Sequence, residues 1–187
     1  MTQWFNFWNS DKKFWDDRNN KASILINYFN ENSFRPSTIL DIGCGLAVEV
    51  GILQDKFKSH LFLLDGTVEN NQYSQSERRI GFDSSDSMNF YLTEDELLTS
   101  WNKRNLKYTF INAKNFVSDD IGKVDFIYSG KSLGFHYPIK TYESLIRSCS
   151  SKTTKIIMDL RIGANQECKN FQIENILLKE KNLLLLP

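Results

Sequence analysis

Short apolar runs alternate with helix-period segments along most of the chain, and that alternation predicts an α/β protein. Ile39–Ile42, His60–Leu64, Lys107–Ala113, Val124–Ser129 and Lys155–Leu160 read as five successive strands. After the first, Leu46, Val50, Leu53 and Phe57 recur with a helical period; Leu97, Leu98 and Trp101 follow the second. Thr93 with Glu96 three residues later predicts a capping box that opens the latter helix. Pro138 is expected to begin the helix after strand 4, with Tyr142, Leu145, Ile146 and Cys149 as its buried stripe. Ahead of strand 1, Ser10-Asp11 predicts a helix start, and Ile24, Leu25, Tyr28 and Phe29 share the face of a second helical pattern ended by Phe34-Arg35-Pro36. Phe171–Leu178 and Leu183–Leu186, joined by a polar turn, predict a C-terminal antiparallel hairpin. Thr67 to Asn89 carries no sustained apolar period and predicts a long functional or mobile loop.

Length and charge narrow the class. At 187 residues the chain is expected to form a single domain, 1–187, with a sizeable core. Lys plus Arg number 23, as do Asp plus Glu, so composition gives no electrostatic case for nucleic acid or a membrane surface. No segment resembles a signal peptide, and no run approaches the ~20 apolar residues of a membrane span. Three cysteines without paired spacing and only two histidines offer no metal cluster, and a reduced cytoplasm is the expected location.

The chemistry concentrates at Ile39-Leu40-Asp41-Ile42-Gly43-Cys44-Gly45-Leu46-Ala47. An apolar run ends in an acid, two glycines follow at spacing two, and a helix begins at once. Such a turn brings backbone N–H groups and a helix N-terminus close to a ligand. The next strand ends in Asp65, 24 positions later, where a carboxylate suits hydrogen bonding to ribose hydroxyls. Together these predict a nucleoside-bearing cofactor. A dinucleotide is disfavoured: Val48 stands where a third glycine would let the helix crowd a pyrophosphate, and Asp41 would repel one.

From here the chain resembles the class I S-adenosylmethionine-dependent methyltransferases, whose first motif is an acid-x-Gly-x-Gly-x-Gly loop after strand 1. Asp41, Gly43 and Gly45 match, with Ala47 in place of the third glycine. The resemblance covers about Ile39 to the end and implies a Rossmann-like, doubly wound seven-stranded sheet, order 3-2-1-4-5-7-6 with strand 7 antiparallel. It implies a core of 39–187, with 1–38 as an N-terminal helical segment folded over the cofactor, and S-adenosyl-L-methionine as that cofactor. Contacts are then expected from Asp41, Gly43, Cys44, Gly45 and Leu46 after strand 1, and from Asp65, Gly66 and Thr67 after strand 2. Asn112 and Ala113 after strand 3 would meet the adenine, unless Asn112 serves as a local cap; Ser129 and Gly130 follow strand 4.

No Asn/Asp-Pro-Pro-aromatic motif for amino methylation and no Pro-Cys nucleophile is present. Gly134-Phe135-His136-Tyr137-Pro138 resembles a stretch in small methyltransferase-like proteins, several labelled sugar O-methyltransferases. His136 is the candidate general base for a hydroxyl acceptor; its alternative role is to cap the turn before Pro138. One of Trp4, Trp8, Phe14 and Trp15 is expected near the sulfonium, a cation that aromatic faces attract. The implied activity is methyl transfer to a small-molecule acceptor through oxygen. The rival is a protein that binds the cofactor and sequesters or cleaves it without methylating.

Overall fold

The structure, a computed structural model, describes residues 1–68, 90–114, 121–133, 139–159, 172–178 and 182–186. Its strands are β1 Thr38–Ile42, β2 His60–Asp65, β3 Tyr108–Asn112, β4 Phe126–Ser129, β5 Lys155–Asp159, β6 Gln172–Leu178 and β7 Asn182–Leu186. The first five run parallel, β1 lying between β2 and β4. The two C-terminal strands extend the β5 edge in antiparallel pairs, giving the order β3-β2-β1-β4-β5-β7-β6. The chain crosses from β1 outward to β2 on one side and from β4 outward to β5 on the other, so the crevice between the carboxyl ends of β1 and β4 is the switch point.

Helices cover both faces. On one, α1 (Gln3–Ser10), α2 (Lys12–Glu31), α3 (Val48–Phe57) and α4 (Glu94–Lys103) accompany a core of Ile39, Leu61, Leu63, Phe126, Tyr128 and Ile157. On the other, α5 (Glu143–Cys149) packs with Leu40, Ile42, Ile127, Ile156 and Met158. Side chains alternate across a strand, so Asp41 shares the face of Ile39, beneath α2 and α3. Continuous burial along β1 and β4 is what two covered faces demand.

The local signals act as expected at the helix starts. The Asp11 side chain accepts from Lys13 N at the head of α2, and Thr93 with Glu96 closes both arms of the capping box on α4. One boundary is corrected. The segment after strand 4 opens as a 3-10 turn, Ile139–Tyr142, before α5, because Tyr142 at φ −121° interrupts the helix. Tyr142, Leu145, Ile146 and Cys149 are nonetheless all buried. Pro138, the expected start, lies outside the described residues, as does most of the 67–89 loop.

Candidate functional site

A cavity of about 290 Å³ opens at the switch point. The glycine loop forms its floor, from Gly43 to Val48, with Asp41 and Glu49 at either end. Trp8 of α1 and Phe14 and Arg18 of α2 close the opposite side, and Tyr91, Tyr128 and Lys131 complete the wall.

The loop is shaped by close approach. Gly43 has φ +69°, and a β-carbon there would overlap Oγ and Cβ of Ser132. Gly43 N and Cys44 N donate to Leu64 O at 2.8 and 3.2 Å, pinning the turn to the end of β2. Ala47, where the resembled motif carries its third glycine, is left-handed at φ +51°. It is the N-cap of α3 without a side-chain cap bond, so the first turn of that helix presents uncapped N–H groups at the cavity.

Two carboxylates end adjacent strands. Asp41 is 3% exposed, and among the described residues its Oδ1 has no hydrogen-bond partner. Burial, reinforced by Glu49 and Asp65, pushes its carboxyl well above the ordinary range. Asp65 differs: Oδ2 accepts from Gly45 N at 2.6 Å and Oδ1 from Gly66 N at 2.8 Å. Burial lifts its pKa to about 6, against the opposing pull of those N–H bonds. The thiol of Cys44 is likewise raised, chiefly by burial.

Of the residues expected from sequence, Asp41, Gly43, Cys44, Gly45, Leu46, Asp65 and Gly130 come together on the cavity wall. Gly66, Thr67, Asn112, Ala113 and Ser129 do not line it. Gly66 is roofed by the Phe90 ring, which fills the space a side chain would take. Asn112 Oδ1 accepts from Lys114 N at 3.0 Å, the capping role weighed against adenine contact. Ser129 is fully buried; its hydroxyl donates to Ile42 O at 2.8 Å and accepts from Leu133 N at 2.9 Å. His136 lies outside the described residues. Trp8 and Phe14 are the two expected aromatics that reach the cavity, stacked on one another 5.9 Å apart.

Sequence reasoning missed a buried charged wall. Arg18 Nη1 donates to Glu49 Oε1 at 2.5 Å, and the Tyr128 hydroxyl donates to the same oxygen at 3.0 Å. A β-carbon on Gly130 would stand 2.8 Å from that hydroxyl and 3.2 Å from Arg18 Nη1. Lys21 pairs with Asp159 alongside. The available signal was a cation and an acid each placed among apolar positions of their helices; their pairing across elements was not legible.

No family model matches the chain, and no curated protein matches it. Solved structures do. It is similar to the plantazolicin methyltransferase BpumL, determined with a pentazolic desmethylPZN analog and SAH: 23% identity, TM-score 0.55, over 83% of this chain and 51% of that one. The chain thus spans about half the length of that relative. It is similar to the precorrin-6y C5,15-methyltransferase of Geobacter metallireducens GS-15: 13% identity, TM-score 0.55, over 94% of this chain and 87% of the other. The PH0226 protein of Pyrococcus horikoshii OT3 aligns at TM-score 0.60 and 12% identity over 96% of both chains. What these likenesses show is the architecture: the chain is built on the fold of the class I S-adenosylmethionine-dependent methyltransferases.

Proposed function

We propose that the chain is an S-adenosylmethionine-dependent methyltransferase, a single domain acting in the cytoplasm on a hydroxyl oxygen of a small-molecule acceptor. The observation that carries the cofactor assignment is the orphaned Asp41 carboxylate on the wall of the glycine-loop cavity. A buried carboxylate without a partner is costly, and a cationic ligand group is what satisfies it. The ammonium of a methionine-derived cofactor fits that need, and the uncapped first turn of α3 suits its carboxylate.

In this reading Asp41, with Gly43, Cys44, Gly45 and Leu46, holds the amino-acid end. Asp65 receives the ribose at the end of β2, and Gly130 shapes the β4 side of the cavity. When bound, S-adenosylmethionine supplies an electrophilic methyl group on a sulfonium. The chain's own part is to hold the acceptor in line and to exclude water, which methyl transfer needs more than a strong acid or base. Trp8, Phe14 and Tyr91 supply the apolar wall for that exclusion. His136 takes the acceptor's hydroxyl proton.

The test is incubation of the pure protein with S-adenosylmethionine and a panel of hydroxyl compounds, followed by mass spectrometry. S-adenosylhomocysteine and an O-methyl product are expected. His136→Gln is expected to bind S-adenosylhomocysteine normally while turnover falls ~10²-fold. Cofactor that binds or is cleaved with no acceptor methylated would replace this reading with sequestration or cleavage.

A further inference from the structure

The carbonyls of the glycine loop are held from outside by one helix. Trp101 Nε1 donates to Gly45 O at 3.0 Å. Arg104, the C-cap residue of α4, donates through Nη1 to Ala47 O at 3.2 Å and through Nη2 to Leu46 O. Its Nε donates to Ser100 O at 3.3 Å, within the helix. Three consecutive loop carbonyls are thereby claimed by two side chains more than fifty positions away.

The arginine is unusual in what it lacks. Half-buried guanidinium groups are ordinarily paired with a carboxylate, yet among the described residues no acid is in salt-bridge contact with Arg104. Burial lowers its pKa to about 10. A cation kept there at a desolvation cost, with backbone oxygens as its acceptors, is suited to fixing those oxygens in place.

They need fixing because of Ala47. A residue with a β-carbon at φ +51° is strained, and a glycine would sit there freely. Once the carbonyls of residues 45, 46 and 47 are bound toward α4, the loop cannot relax by turning its peptides over. The intervening amides keep the orientation that presents the cavity floor. Trp101 is fully buried and cannot yield.

We propose that Trp101 and Arg104 are positioning residues for the cofactor loop, a brace at the C-terminal end of α4 that holds left-handed Ala47 and its neighbours in the ligand-binding shape in place of the missing third glycine. The proposal rests on the cofactor reading above for its effect on binding, but not for its effect on the loop.

The experiment measures two things on the full chain: S-adenosylhomocysteine affinity by calorimetry, and hydrogen exchange of amides 43–48 without ligand. Arg104→Met is expected to lower affinity about tenfold and to speed loop exchange. Trp101→Phe, which removes one donor, should lower affinity a few-fold. Adding Ala47→Gly to Arg104→Met should restore most of the affinity, since glycine holds the conformation without the clamp. A folded Arg104→Met with a lower melting temperature but wild-type affinity and exchange makes the arginine a stability residue and overturns the proposal. If Arg104→Met does not fold, Trp101→Phe decides by the same two readouts. Wild type that binds no S-adenosylhomocysteine would refute the cofactor reading alone; loop exchange would still judge the brace.

Discussion

Asp41, the penultimate residue of β1, and Asp65, the last of β2, stand at the carboxyl ends of neighbouring parallel strands, and the fold treats them differently. Asp65 spends both oxygens on backbone N–H groups at 2.6 and 2.8 Å, whereas Oδ1 of the more deeply buried Asp41 has no partner among the described residues. Both have raised pKa values, chiefly from burial. Asp65 is satisfied within the chain, whereas Asp41 brings a carboxyl with an unpartnered oxygen to the cavity wall. Sequence position makes both acids candidate ligand contacts, Asp65 through its place facing a ribose; their different hydrogen bonding gives each its own test.

Distorting the glycine loop should have the largest effect on the site. Gly43→Val would combine left-handed strain with overlap on Ser132, on the order of 2–6 kcal/mol together. Thermal unfolding should fall sharply, and S-adenosylhomocysteine binding should be lost in whatever folds. A variant with wild-type melting and affinity would mean the loop is not the floor of the site.

Asp65→Ala is expected to weaken S-adenosylhomocysteine about tenfold or more, because charged hydrogen bonds to buried donors contribute roughly 1.5–3 kcal/mol. Here the loss comes in part through the loop: Gly45 N would lose its acceptor, so hydrogen exchange at Gly45 should rise in the same variant. Unchanged exchange with weakened binding would assign Asp65 to direct ligand contact only.

A smaller effect sharpens the electrostatics. Asp65 titrates near 4 in an unfolded chain and at about 6 in the fold. A folded pKa above the unfolded one means the folded chain holds its proton longer. The stabilising contribution is therefore full below pH ~4 and lost as pH rises through about 6. Relative to Asp65→Asn, wild-type melting temperature should decline across that window and level off above it. A difference independent of pH would show that the carboxyl is not desolvated.

How much was legible follows from distance along the chain. The strands, the glycine loop and the capping box are short-range patterns, in which each residue's neighbours dictate its conformation, and these read directly from sequence. The 3-10 opening of the segment before α5 did not, because proline at a helix start says nothing about how tightly the following turn winds. The Arg18–Glu49–Tyr128 wall joins residues 31 and 79 positions apart, and Arg104 reaches Ala47 across 57. No local signal announces such partners. Nor could sequence foresee that Phe90 would roof Gly66, or that the Ser129 hydroxyl would be consumed between Ile42 and Leu133.

The most direct measurement is titration of S-adenosylhomocysteine into wild type and Asp41→Asn, with melting temperatures recorded for both. An amide at this position needs no desolvation of a charged form, so the variant should melt no lower than wild type while binding at least tenfold more weakly. Undiminished affinity in a stable Asp41→Asn would contradict the account, because the orphaned carboxylate would then have no ligand to meet.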